Sequence, residues 1–181
     1  MSHAVTNQGN DWFASFLGET MVYTSGVFGP NDVTLDSVKE NKGYDGKVLK
    51  DAQENKMSLI CDKLQLQKGE SLLDIGCGWG TLARHAAKYY GAKTTGVTLS
   101  VEGAAWCNDQ IKKEKLTKQC DILQMDYRKI PENCGKKSFS KVSSIEMAEH
   151  VGIVNFVDPY LKTVYDILED DGMFLMQVTY P

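Results

Sequence analysis

Apolar positions change period repeatedly along this chain, and the changes mark its elements. Met57, Ile60, Cys61 and Leu64 recur at helical spacing, one face of an amphipathic helix. Ser71–Ile75 is instead a short, nearly continuous apolar run that reads as a buried strand. Leu82, Ala83, Ala86, Ala87 and Tyr90 return to the helical period, and Gly91 is placed to end that helix. Lys93–Leu99 predicts a second strand, and Ser100 can cap a helix running to about Lys115. Cys120–Met125 and Lys141–Glu146 predict strands three and four. Val157, Leu161, Val164 and Leu168 then predict a helix. Asp170-Asp171-Gly172 reads as a turn and Met173–Thr179 as a fifth strand. Upstream the pattern is irregular. Asp11–Gly18 predicts a short helix through Trp12, Phe13, Phe16 and Leu17, Met21–Gly29 is aromatic and glycine-containing, and Asn41–Lys50 reads as a loop.

Strands alternating with helices imply an α/β fold, a doubly wound parallel sheet covered on both faces. Ligands of such sheets sit outside the carboxyl ends of the strands, near the reversal in strand order. The segments after strands one to four, Gly76–Gly80, Thr98–Ser100, Asp126–Arg128 and Glu146–His150, therefore converge. They also hold a concentration of polar residues.

Composition removes several function classes. The net charge is −4, and Lys112, Lys113, Lys115 and Lys118 are interleaved with acidic and apolar residues. That is a solvated helix face rather than the concentrated basic surface nucleic acid requires, so no nucleic-acid partner is expected. Cys61, Cys77, Cys107, Cys120 and Cys134 are odd in number and scattered, without a CxxC pair. This argues against a disulfide framework or zinc site and for a reducing compartment. The first ten residues lack the apolar core of a signal peptide, and no apolar run approaches the ~20 residues of a membrane span. The expectation is a soluble, cytoplasmic protein.

The chemistry begins at Ser71–Gly80, where the strand ends in Asp74 and then Gly76, Gly78 and Gly80. Glycines there permit a sharp turn and close approach of a ligand, at the exposed N–H groups of the helix that follows. A dinucleotide fingerprint needs a third glycine where Thr81 stands and an acid where Thr98-Leu99-Ser100 closes strand two; both are missing. No Gly-Lys-Ser/Thr follows, which excludes a Walker loop. Acids at two strand ends, Asp74 and Asp126, suit an adenosine ligand without phosphates, whose amines donate to carboxylates.

Leu73–Gly80 resembles motif I of the class I S-adenosylmethionine-dependent methyltransferases. Met21–Gly26, Gly96–Ser100, Met125–Arg128 and Ser144–Gly152 narrow the likeness to the cyclopropane-fatty-acid synthase and mycolic acid methyltransferase family. Asp11-Trp12-Phe13, Tyr23-Thr24-Ser25-Gly26 and Glu146–His150 are most similar to its fungal-type sphingolipid C9-methyltransferases. The resemblance spans about residues 11 to 181. It implies residues 1–50 folding over the cofactor site and a Rossmann-like core over 51–181. Tyr23 and Thr24 would meet the methionine end of S-adenosylmethionine. Gly76, Gly78 and Gly80 would form the loop ordered by Asp74, Thr98 and Leu99 would border the ribose and adenine, and Asp126 and Tyr127 would hold the adenine. Glu149, with His150 beside it, matches the glutamate that helps hold a bicarbonate ion near the reacting carbons. Gln177 stands where bacterial relatives have a histidine for that ion. The implied reaction is methyl transfer to an alkene of a lipid chain through a carbocation, with the lipid met at a membrane surface.

Two other functions share these motifs: a small-molecule N-methyltransferase of the coclaurine type, and a non-catalytic cofactor-binding module. Thr98-Leu99-Ser100 and Arg128 fit the lipid branch better. Plainer roles are open to several residues, with Trp79 packing beneath the loop, His85 exposed, and Glu146 and Glu149-His150 forming a surface acid cluster. The chain ends at Tyr180-Pro181, just after the fifth strand, whereas the implied fold has seven strands. The expectation is therefore a fold truncated after strand five, which binds S-adenosylmethionine weakly and turns over little or nothing.

Overall fold

The computed structural model describes residues 9–29 and 46–179. Five strands form one parallel sheet in the order β3-β2-β1-β4-β5. These are β1 (Ser71–Ile75), β2 (Lys93–Thr98), β3 (Cys120–Gln124), β4 (Phe139–Ile145) and β5 (Leu168–Gln177). The chain builds β1 to β3 outward on one side and then returns to lay β4 against β1, so the order reverses at the β1/β4 pair. Asp74 stands opposite Ser143 in that ladder and Gly96 in the other, and β1 is thus central, with four of its five residues buried. A central parallel strand is covered on both faces, which is why its sequence is a run rather than an alternation.

The helices are α1 (Asn10–Leu17), α2 (Gly46–Lys63), α3 (Thr81–His85), α4 (Val101–Lys113), α5 (Ile130–Cys134), α6 (Ile153–Asn155) and α7 (Lys162–Ile167). Helix α3 continues through a wide π turn, Ala86–Tyr90, to Gly91, so the residues predicted as one helix do run together. Ser100 caps α4 as expected, its hydroxyl accepting from the Gly103 N–H at 3.0 Å. The α2 stripe Met57, Ile60, Cys61 and Leu64 packs with Leu72 and Leu82 on one side of the sheet. Ile130, Val164 and Ile167 cover the other face at β1 and β4, and Cys107, Ile111 and Cys120 close the β2–β3 side. Burial pushes the Cys61 and Cys107 thiols up to about 12, as befits packing residues.

Several boundaries differ from the sequence reading. Residues 46–50, expected in a loop, are the first turn of α2, which runs unbroken past residue 50 because its buried stripe begins at Ala52. Leu168 starts β5 instead of ending a helix. The Asp170-Asp171-Gly172 turn lies within β5 as a bulge: Phe139 and Lys141 pair with Leu168 and Met173, and the residues between loop out. Val157 faces solvent, because Asp158 is non-helical and Pro159 breaks the hydrogen-bond ladder ahead of α7. His85, expected exposed, is half-buried with Nε2 3.2 Å from the Ser58 hydroxyl.

Candidate active site

A cavity of about 420 Å³ opens at the carboxyl ends of β1 and β4, where the strand order reverses. Three segments meet there: the glycine loop after β1, the Glu146–His150 turn after β4, and residues 21–24 laid across from the amino-terminal side. Each can be built from its own residues.

The loop leaves β1 at Gly76, where φ is +78° and a Cβ would lie 2.5 Å from Met147 Cγ. A side chain there is excluded by backbone and by space together. The Gly76 and Cys77 N–H groups both donate to the Val97 carbonyl, which fixes the loop to β2. Gly78 (φ +55°) has open space on its Cβ side and lines the cavity. Gly80 is different. A Cβ on it would meet Cys107 and Ile122, so its smallness serves packing rather than the cavity.

Asp74 is buried at the cavity floor. Its carboxylate accepts from the Ser143 hydroxyl at 2.9 Å, and burial raises its pKa to about 6 against that stabilising bond. An ionisable group in a pocket with one neutral partner is poised for a cationic ligand.

The overlying segment is fastened to α2. Gln53 Nε2 donates to the Thr24 carbonyl at 2.8 Å, Val27 N–H donates to the Ala52 carbonyl at 2.9 Å, and Lys56 donates to the Thr24 hydroxyl. Gly26 fits here because a Cβ would come 2.9 Å from that of Ala52. Phe13 of α1 lies 4.6 Å from the Trp79 ring and 6.0 Å from that of Tyr23, centroid to centroid. Trp79, expected beneath the loop, packs against Phe13 at a tilt of 56° and lines the cavity.

The turn after β4 begins at Glu146, in the left-handed region with φ +51°. That conformation costs a residue with a Cβ roughly 1–2 kcal/mol, so the surroundings must enforce it. Glu146 N–H donates to the Gln177 carbonyl at 2.8 Å, and Gln177 Nε2 returns a 2.8 Å bond to Glu146 Oε1. The same oxygen accepts from Ser25 Oγ at 3.5 Å and from Lys56 Nζ at 3.4 Å. Lys56 is 3% exposed, and burial pushes its pKa down while Glu146 opposes the shift. Glu149 and His150 stand at the exposed rim, with Glu149 Oε1 accepting the Thr179 N–H at 2.6 Å.

Tyr23, Thr24, Asp74, Gly76, Gly78, Glu149 and His150 are thus gathered around one cavity. Thr98, Leu99, Asp126 and Tyr127 flank it at the ends of β2 and β3 without lining it. Thr98 Oγ1 accepts from Ser100 N–H at 3.3 Å, and Leu99 is exposed. Arg128 occupies both Asp126 oxygens, bonding Oδ1 through N and Nε at 3.0 and 2.9 Å and Oδ2 through Nη2, and holds that carboxyl below its usual range. The Tyr127 ring meets Tyr160 edge-on at 5.7 Å. Lys56 was invisible to sequence reasoning as a site residue. The available signal was two polar residues, Gln53 and Lys56, inside the buried stripe of α2.

The residues expected to hold a bicarbonate do not fit a free anion. Gln177, Ser25 and Lys56 all donate to Glu146 Oε1, and Glu149 bonds backbone instead. The donors already have a carboxylate, and it belongs to the protein.

Parallel sheet, glycine loop, acid-ended strands and a cavity at the order reversal define the chain as a class I S-adenosylmethionine-dependent methyltransferase fold. It belongs to the mycolic acid cyclopropane synthetase family, whose pattern matches residues 3–180. It is 43% identical over 172 residues to sphingolipid C9-methyltransferase 2 of Gibberella zeae, covering 94% of this chain and 30% of that protein. Among solved structures, the cyclopropane synthase MmaA2 from Mycobacterium tuberculosis superposes with a TM-score of 0.78 at 29% identity, over 94% of this chain and 53% of that one. The mycolic acid cyclopropane synthase CmaA1 complexed with SAH and CTAB gives 0.77 at 27% identity, over 96% and 56%. The chain thus spans about a third of the length of the curated relatives it matches.

Proposed function

We propose that this chain carries the S-adenosylmethionine site of a C-methyltransferase acting on an unsaturated lipid chain, a sphingoid base or fatty acyl group met at a membrane surface. The observation that carries the reading is the cavity wall. Phe13, Met21, Val22, Met57, Ile60 and Ile145 are apolar, while Asp74, Glu146 and Glu149 supply carboxylates. An apolar chain and a cationic sulfonium both suit such a wall, and neither needs a phosphate clamp. The family membership and the sphingolipid-methylating relative support the same substrate class.

S-adenosylmethionine supplies an electrophilic methyl group when bound. The protein's work is to place it and exclude water. Gly76 and Gly78 let the cofactor approach the backbone, Asp74 faces its positive charge, and Tyr23 and Thr24 close over it. Held there, S-adenosylmethionine would supply its sulfonium methyl to the π pair of the substrate alkene, leaving S-adenosylhomocysteine and a carbocation on the neighbouring carbon. Loss of a proton then yields a methyl branch or a ring. Pocket carboxylates stabilise the cation electrostatically, and the Tyr23 ring, 45% exposed, offers a π face to it. Among the described residues no helix is long and apolar enough to cross a membrane.

The test is incubation of the full-length protein that carries this chain with methyl-labelled S-adenosylmethionine and total lipid extract. Label in ceramide or phospholipid is the expected result. Label confined to small amines would favour the coclaurine-type alternative, and cofactor binding without transfer the non-catalytic one.

A further inference from the structure

Glu146 is the group this fold goes furthest to hold. Its backbone sits in the left-handed region, and three donors from three segments meet at one of its oxygens: Gln177 Nε2 of β5 at 2.8 Å, Lys56 Nζ of α2 at 3.4 Å and Ser25 Oγ at 3.5 Å. All three choose Oε1. Among the described residues none bonds Oε2, although Glu146 lines the cavity and its side chain is 17% exposed. A carboxylate clamped through one oxygen keeps the other as an acceptor for what enters the pocket. Backbone strain kept at such a point, and the lysine buried to support it, are features of functional sites rather than of packing.

We propose that Glu146 is the resident base of the pocket, taking the place of a free anion. This rests on the C-methylation reading above. After the new C–C bond forms, the C–H bond at the methylated carbon breaks and its electron pair restores the double bond beside the former cation. The proton passes to the free oxygen of Glu146, which becomes a carboxylic acid and releases it to solvent through its exposed edge. Before that transfer, the same carboxylate faces the carbocation and stabilises it. Gln177, Ser25 and Lys56 each already direct a donor to the Glu146 carboxylate, so the anion they meet is the protein's own rather than a free bicarbonate.

Calorimetry of the whole chain with S-adenosylhomocysteine and a long-chain alkyltrimethylammonium probe, below its micelle concentration and in carbon-dioxide-free buffer, tests this without requiring turnover. The fixed positive charge imitates the cation. The probe is expected to bind the S-adenosylhomocysteine-loaded protein. Glu146→Gln should weaken it by about tenfold or more while changing S-adenosylhomocysteine affinity by less than about twofold, which also shows that the variant is folded. Glu146→Asp should recover part of the loss, and added bicarbonate should change nothing. Probe binding that is absent, unaltered by Glu146→Gln, or dependent on bicarbonate overturns the assignment and leaves the cofactor site standing. Failure of the unaltered protein to bind S-adenosylhomocysteine overturns the methyl-transfer reading, and this inference with it.

Discussion

Two carboxylates border the cavity from neighbouring strands, and they are held in opposite ways. Asp74 ends β1 in the dry centre of the sheet with one hydroxyl partner, Ser143, and its pKa rises to about 6. Glu146 follows β4 at a partly wet edge and is clamped by a lysine, an amide and a hydroxyl from three other segments. Asp74 is placed by its own strand and would occupy that spot in any sheet built on this run. Glu146 is placed by α2, β5 and the overlying segment. One half of the site is therefore local and rigid, and the other exists only while distant segments stay docked.

The harshest test of the local half is Gly76→Val. The positive φ and a Cβ 2.5 Å from Met147 predict a loss of roughly 3 kcal/mol or more in denaturant unfolding. A fully stable variant would remove the structural account of that turn. Next in size, Asp74→Ala should lower cofactor affinity about 100-fold or more by calorimetry while costing little stability at pH 7, since it also removes a buried charge. Unchanged affinity would show that Asp74 does not serve the cofactor.

The non-local half should respond differently. Lys56→Met leaves Glu146 without its ammonium partner and frees the Thr24 hydroxyl. An expected loss of about 2–3 kcal/mol sits below the usual range for breaking a buried pair because Glu146 retains solvent contact. Faster proteolysis confined to residues 21–29 should accompany it, whereas Gly76→Val should not single out that segment. Equal effects of both variants on the overlying segment would erase the distinction between the halves.

The smallest expected effect is in pH. Burial lowers the His85 pKa from 6.5 to about 4, so the unfolded chain binds a proton first and stability falls as pH drops through that window. Asp74 works in reverse. Its folded pKa of about 6 lies above the ordinary 3.8, so its contribution is full at low pH and lost as pH rises through about 6. The two nearly offset between pH 6 and 4. Removing His85 by His85→Gln should leave stability rising as pH falls from 7 to 4, measurable by thermal melts. A profile unchanged from the parent would show that His85 is not buried as a neutral ring.

Most of the fold was legible in the chain because its signals are short-range. The run at 71–75, the Ser100 cap and the apolar stripe of α2 each state their element within a few residues, and alternation of strand and helix then leaves little choice but a parallel sheet. The misreadings at Leu168 and Asp170–Gly172 share one cause. The pairing of β5 with β4 tolerates a bulge there, and no local rule announces a ladder that stops and resumes. In the site, the glycine loop and Asp74 were readable for the same reason that β1 was.

By itself, then, the sequence determined the class of sheet, the convergence of the segments after strands one to four, and a glycine-and-acid loop suited to S-adenosylmethionine. It also named Glu146, but only as one acid of a surface cluster. Only the tertiary structure decided that Lys56, 90 positions away along the chain, and Gln177 and Ser25 would close on that carboxylate. The physical reason is range. Local propensity sets where a strand ends, whereas the partner of a charge is chosen by packing among segments whose sequence separation carries no signal.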